Sequence, residues 1–359
     1  MFDFILGFVR HGSGYQLCAE SPFLAGQARP VPFEVSEAVH WRDGVSSLTR
    51  HVRLEPLERE EEDDPQCPMD SVQVGRDLYA QVFSGEVEEL FLRARELARE
   101  ERSGLRILVK AWHDPEIHDL PWELLHDGRR FLAQSTETPV VRYLEQRRPL
   151  REFRIEPPLR LLLTTACPAD VPPLEIEEEE RRLKAALAPL GDRAAVVVER
   201  EVGLERLRHI LFRARSQGRP FQVWHHAGHG DLHKGEFSLA LASRDGSLQT
   251  ATVADLEGVL APCEDLRLAV LNVCEGASAT GLATALANLN IPAVIGFREP
   301  ILDDSALVFA ETLYQGLVET TLERAVSRAR LELRDAGYSA VDWSYPLLFA
   351  RTSAAGPWL

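Results

Sequence analysis

Between Val72 and Arg99 the apolar residues Val72, Leu78, Val82, Phe83, Val87, Leu90, Phe91, Ala94 and Leu97 recur at helical spacing, which predicts one buried stripe. Before it, residues 1–55 alternate short apolar pieces with Gly and Pro, the pattern of irregular β material. The acidic run Glu58-Arg59-Glu60-Glu61-Glu62-Asp63-Asp64-Pro65 then reads as a solvated loop between the two. After residue 100 the text changes to alternating strands and helices. Strands are predicted over 105–110, 138–144, 159–165, 194–199, 221–225, 237–242, 266–272, 293–297 and 346–350. The Leu-rich stretch 159–165 is apolar enough to be buried on both faces. Helices are predicted over 175–190, 204–215, 252–260, 280–288, 305–317 and 321–336, with a short one over 119–125 that carries Pro121 in its first turn.

Strands alternating with helices of this length imply βαβ units. The expected fold is therefore α/β: a mostly parallel central sheet flanked by helices on both faces, with a β-containing N-terminal region. The chain is expected to divide into a β-rich start with its acidic loop (1–69), a supporting part (70–150) and a part carrying the chemistry (151–359). In such sheets functional loops lie beyond the carboxyl ends of the strands.

Composition narrows the classes. A formal net charge of −16 over 359 residues, with no cluster of Lys or Arg, argues against nucleic acid or an anionic membrane as partner. The five cysteines (Cys18, Cys67, Cys167, Cys263 and Cys274) are odd in number and form no CxxC pair. That is the usage of a reducing compartment. With no signal-peptide pattern at the start and no run of 18 apolar residues, a cytoplasmic protein without a membrane span is expected. No cofactor motif stands out.

Two strand ends carry candidate chemistry. The first is Phe221-Gln222-Val223-Trp224-His225-His226-Ala227-Gly228-His229-Gly230-Asp231, an apolar strand entering what reads as a small-residue turn. Glycines there would present an imidazole without surrounding bulk. The second is Leu268-Ala269-Val270-Leu271-Asn272-Val273-Cys274-Glu275-Gly276, a buried strand ending on a thiol just before a helix. The positive helix end and a protonated His would both favour a thiolate. Cys274 follows His229 by 45 positions, and adjacent parallel strands would bring both to one sheet edge. The order and spacing match a caspase-type signature, in which the His lies about 50 residues before the Cys. A metal cluster of His225, His226, His229 and His233 is the competing reading, but the i, i+4 spacing needs a helix, which Gly228 and Gly230 oppose, and no HExxH or Cys pair is present. No metal is expected.

These two segments resemble the catalytic signatures of the CHAT family, bacterial domains similar to caspases and separases. Leu120-Pro121-Trp122-Glu123-Leu124-Leu125, Thr138-Pro139-Val140-Val141-Arg142, Ile291-Pro292-Ala293-Val294-Ile295-Gly296-Phe297 onward to Asp303, and Asp342-Trp343-Ser344-Tyr345-Pro346 resemble the same family in the same order, over residues 70–352. There is no 34-residue repeat of the kind often joined to such domains. The resemblance implies a caspase-like fold and a cysteine endopeptidase with Cys274 as nucleophile and His229 as general base. It also implies an oxyanion hole from the backbone N–H groups of Gly230 and Cys274. No third member of a triad is evident, and Asp231 is expected to point away from His229.

For substrate binding, the positions of interest are Asn272, Glu275 and Asp303. Glu275 stands where caspases carry an Arg for an acidic P1 residue, and Asn272 where metacaspases carry an Asp. Asp303 matches an acid that binds P1 Arg in separase-like enzymes, so a basic P1 is expected. The same Asp303 suits an N-cap for the helix from Ser305, and both readings stand. The implied partners are a protein substrate and an unidentified activating partner or ligand, in a setting of bacterial defence, stress or regulated death. The rival class is a catalytically silent caspase-like scaffold or signalling adaptor.

Overall fold

The computed structural model describes residues 1–34, 70–110, 114–143, 155–169, 171, 176–233, 236–274, 286, 291–299, 303–337 and 341–351. It divides into two compact units: Met1–Tyr143 with Val326–Ser344, and Leu144–Ala325 with Tyr345–Leu359. The acidic run at 58–65 lies outside the described residues.

The first unit is built on a sheet that the N-terminal residues complete. Strand β1 (Phe2–His11) turns at Gly12, whose φ of 64° suits glycine, into the antiparallel β2 (Gly14–Ser21). The short β3 (Gly26–Gln27) and β4 (Val31–Phe33) both pair with β2. On its other side β1 runs parallel to β5 (Leu105–Lys110), and β5 runs parallel to β6 (Val140–Tyr143). The start of the chain is thus regular strand rather than irregular β material, because Phe2–Gly7 pairs with a segment about a hundred residues away. Helix α1 (Ser71–Val82) is N-capped by Asp70, whose carboxylate accepts from the Val72 amide at 3.1 Å. Helix α2 (Glu86–Glu100) buries Val87, Leu90, Phe91 and Ala94 of the expected stripe together with Ala98, while the expected Leu97 is half-buried; Phe83–Gly85 break the expected period into two helices. Phe4, Phe83 and Phe91 meet at its base.

The helix expected over 119–125 is instead a short α3 (Pro115–His118) followed by a 3-10 turn, Trp122–Leu124. The turn is held by Glu123, which is buried and takes a two-pronged grip from Arg142 at 3.0 and 2.8 Å. Arg330, also buried, lies 3.8 Å from the same carboxylate. That polar knot replaces the regular ladder of a helix with side-chain partners.

The second unit holds β7 (Leu159–Thr165), β8 (Ala194–Glu199), β9 (Val223–His233), β10 (Glu236–Ala242), β11 (Leu248–Thr252), β12 (Leu268–Cys274), β13 (Ala293–Phe297) and β14 (Pro346–Ala350). The order is β8-β7-β9-β12-β13-β14; all neighbours are parallel except β13 and β14. Helix α4 (Ile176–Leu187) connects β7 to β8, and α5 (Leu204–Ser216) connects β8 to β9. The first crossover moves outward and the second moves back, so the right-handed rule sends these helices to opposite faces. Helix α6 (Val253–Leu260) packs with α5, while α7 (Asp303–Leu317) packs with α4. The expected mostly parallel sheet flanked by helices is observed. Helix α8 (Leu322–Ala336) follows.

Helix α4 ends at Leu187, where Pro189 brings a 3-10 segment, Ala188–Arg193, in place of the last turn expected. Strand β11 is an addition to the expected set. Of the helix expected over 280–288, only Leu286 lies within the described residues.

Candidate active site

The largest departure from expectation is at the histidines. Residues 228–230 form no turn: β9 continues as extended backbone to His233. Gly is a poor strand former, so the reason is tertiary. Along one edge β9 pairs with β12 from Val223 to His229. Along the other edge it pairs first with β7, as far as Ala227, and then with β10 from His229 to His233. The segment is held on both sides, and a strand is the result. Strand β12 likewise runs two residues past the expected end, so that Cys274 is its last residue.

This pairing sets the site. In the parallel register of β12 on β9, Cys274 stands directly opposite His229, with Asn272 opposite Ala227 and Val270 opposite His225. Neighbouring strands are about 4.8 Å apart, and opposite residues in register share a face. His225, Ala227 and His229 thus share a face with Val270, Asn272 and Cys274. The face is the one covered by α7, since His225 Nδ1 lies 2.8 Å from the Tyr314 hydroxyl and Phe297 packs edge-on against Phe309. His229 is buried and Asn272 half-buried. Cys274 and His229 lie at the carboxyl edge of the parallel strands, where β7 and β13 also end.

Other candidate positions are placed less completely. Gly230 is buried and opposite Leu239 of β10. Asp303 opens α7, so the helix begins there and not at Ser305; this places Asp303 just past the carboxyl end of β13. Next to it, Asp304 is paired with Arg182 of α4 at 3.4 Å, and Arg182 is in turn held by Glu178 at 2.7 Å. Glu275 lies outside the described residues. Asp231 lies within β9, two residues beyond His229. The extended backbone also separates the histidines. His225, His229 and His233 are four residues apart in extended backbone, about 13 Å each, and His226 is on the opposite face.

On that opposite face His226 is fully buried. Its Nδ1 lies 3.0 Å from Thr164 Oγ1, which also accepts a hydrogen bond from Trp224 Nε1 at 2.8 Å. Burial, with a smaller contribution from neighbouring His225, pushes the His226 pKa down to about 3. Neither the Tyr314 contact nor the Thr164 contact had a sequence signal, since both join elements about 60 to 90 residues apart.

No curated protein matches the chain. Among solved structures it is similar to the Drosophila initiator caspase Dronc, with 12% identity and a TM-score of 0.39, over 56% of this chain and 82% of that one. It is also similar to a secreted C11 cysteine protease from Bacteroides thetaiotaomicron, with 13% identity and a TM-score of 0.37, over 52% of this chain and 63% of that one. The family description CHAT domain matches residues 72–350, a span that takes in β9, β12 and both members of the His229–Cys274 pair. The chain belongs to the CHAT domain family.

Proposed function

We propose that the protein is a cysteine-type endopeptidase in which Cys274 is the nucleophile and His229 the general base. The observation that carries this reading is the register of β12 on β9, which sets the two residues opposite each other on one face at the carboxyl edge of a parallel sheet. In the reaction, His229 takes the thiol proton as sulfur attacks the peptide carbonyl carbon. The N–H groups of Gly230 and Cys274 would stabilise the oxyanion. The C–N bond then breaks, His229 gives its proton to the leaving amine, and water attacks the acyl-thioester to regenerate the thiol.

The same reading assigns a basic P1 residue to Asp303. In support, Asp303 opens α7, the helix that follows β13, and its neighbour Asp304 is already engaged by Arg182. Asn272 and Glu275, two residues before and one after the nucleophile, would line the same subsite. The natural substrate would be another protein, cleaved under the control of a partner or ligand, in a defence or stress setting.

The test is a panel of peptides with Arg, Lys, Leu or Asp at P1, with and without native lysate as a source of activator. Wild type is expected to cleave after Arg or Lys, and Cys274→Ala and His229→Ala to lose at least ~10³-fold in kcat/KM. Cleavage that survives Cys274→Ala would overturn the assignment. Silence from wild type in both conditions would point to a scaffold or adaptor instead.

A further inference from the structure

Three residues before the base, the chain buries a second imidazole that the reaction above does not use. His226 is 1% exposed. Thr164 Oγ1 receives the Trp224 Nε1 hydrogen and lies 3.3 Å from the His225 carbonyl and 3.0 Å from His226 Nδ1. One proton arrangement satisfies all of these groups: His226 Nδ1–H donates to Thr164 Oγ1, and the Thr164 hydroxyl donates to His225 O. His226 Nε2 then carries a lone pair and has no hydrogen-bond partner among the described residues. It is aimed along its own strand at Gly228. A Cβ added to Gly228 would sit 2.9 Å from His226 Nε2 and 3.1 Å from the Ala166 carbonyl oxygen. Gly228 is therefore glycine because the imidazole occupies the place of a side chain, not because the backbone needs a positive φ.

The backbone held by this wedge leads straight into the site. Gly228 is the residue before His229, and Ala227 O accepts from the amide of Ala166, just past the end of β7, at 3.1 Å. At His229 the same edge of β9 passes from β7 to β10. On that edge Gly228 falls between the last β7 pair, at Ala227, and the first β10 pair, at His229. Buried between Thr164 and Gly228, the ring of His226 braces this junction from the face opposite the dyad.

We propose that His226 is a positioning residue for the base: neutral, clamped by Thr164, its Nε2 edge sets the backbone of Gly228 and hence the placement of the His229 imidazole against Cys274. The proposal rests on the peptidase reading. It is distinct from it, because His226 touches neither the nucleophile nor a substrate.

The experiment is a double-mutant cycle on the full chain with Gly228→Ala, His226→Asn and the pair together. Asn reproduces a polar atom near Nδ1 but lacks Nε2, so it removes the closest contact of the methyl group that Gly228→Ala introduces and leaves the 3.1 Å approach to the Ala166 carbonyl. Two readouts are taken: kcat and KM on the cleaved peptide, and the rate of Cys274 alkylation by iodoacetamide between pH 5 and 9. The alkylation profile reports the thiolate–imidazole pairing even if no peptide is cleaved, so failure of the peptidase reading is separable from failure of this one. Thermal unfolding by circular dichroism checks that each variant is folded. If Gly228→Ala or the double variant does not fold, Thr164→Val with wild-type Gly228 is read in the same way.

The expected result is a loss of ~10²-fold in kcat for Gly228→Ala with KM nearly unchanged, in line with a displacement of about 1 Å. The acid limb of the alkylation profile should move with it. Adding His226→Asn should recover at least ~10-fold of the loss. Losses that multiply in the double variant, or folded single variants with wild-type kcat and alkylation profile, would overturn the proposal.

Discussion

Single residues decide more here than their types suggest. Among three histidines within five positions, His225 meets a tyrosine on the α7 face, His226 is buried among Thr164, Trp224 and Gly228, and His229 stands opposite Cys274 across a strand pair. A test at this scale concerns His226 and stability alone. The folded state keeps it neutral down to about pH 3, whereas the unfolded chain takes up a proton from about pH 6.5 downward. Above pH 6.5 the group therefore costs nothing, and as the pH falls towards 3 it destabilises the fold by about 1.4 kcal/mol per pH unit. Neighbouring His225 is the other titratable group that lowers the His226 pKa. Urea unfolding at pH 7 and at pH 5 should show a smaller loss of stability for His226→Asn than for wild type, by about 2 kcal/mol. Equal losses in the two proteins would show that this ring does not resist protonation.

At the scale of elements, close approaches between backbones matter as much as the hydrophobic stripes. Gly75 lies in α1, where a Cβ would come 2.0 Å from the carbonyl oxygen of Leu124 in the 3-10 turn region. Its own carbonyl accepts from the His126 amide at 3.1 Å. The obstacle is backbone, which cannot swing aside, so Gly75→Ala should cost about 3 kcal/mol by forcing α1 away from the turn. A denaturant midpoint shift equivalent to less than about 1 kcal/mol would mean that the turn yields. Helical propensity alone would predict the opposite sign, since Ala is the better helix former. The helical period of 72–99 was legible because one apolar stripe is a local property. The 3-10 turn at Trp122–Leu124 was not, because a buried Glu123 held by Arg142 shapes it.

At the scale of the molecule, the division into units crosses the order of the chain. The first unit takes residues Val326–Ser344 from the far end. Trp343 packs on Phe131 with ring centres 4.5 Å apart, and Arg334 donates to the Gln134 side chain at 2.6 Å. Arg330, fully buried, reaches the Val140 carbonyl at 3.4 Å. A fragment of residues 1–143 would lack all three, leaving Phe131 uncovered and the Gln134 and Val140 partners gone. It should show no cooperative thermal transition by circular dichroism, whereas the full chain should show one. A sigmoidal transition for the fragment would mean that its own sheet and helices suffice. The expected parts 1–69, 70–150 and 151–359 follow the order of the chain. A unit closed by a distant segment leaves no trace in that order.

The sequence by itself determined most of the strands and helices after residue 100, that they alternate into a mostly parallel sheet, and that an imidazole and a thiol stand near two strand ends. These follow from periodicity and from residue type, which are local. Only the tertiary structure decided that Gly228-His229-Gly230 is extended and that Cys274 falls opposite His229. The physical reason is that a glycine-rich segment has almost no conformational preference of its own. Its conformation comes from the strands on either side, β7 and β10 on one edge and β12 on the other, and the register of those strands is set by contacts far away in sequence.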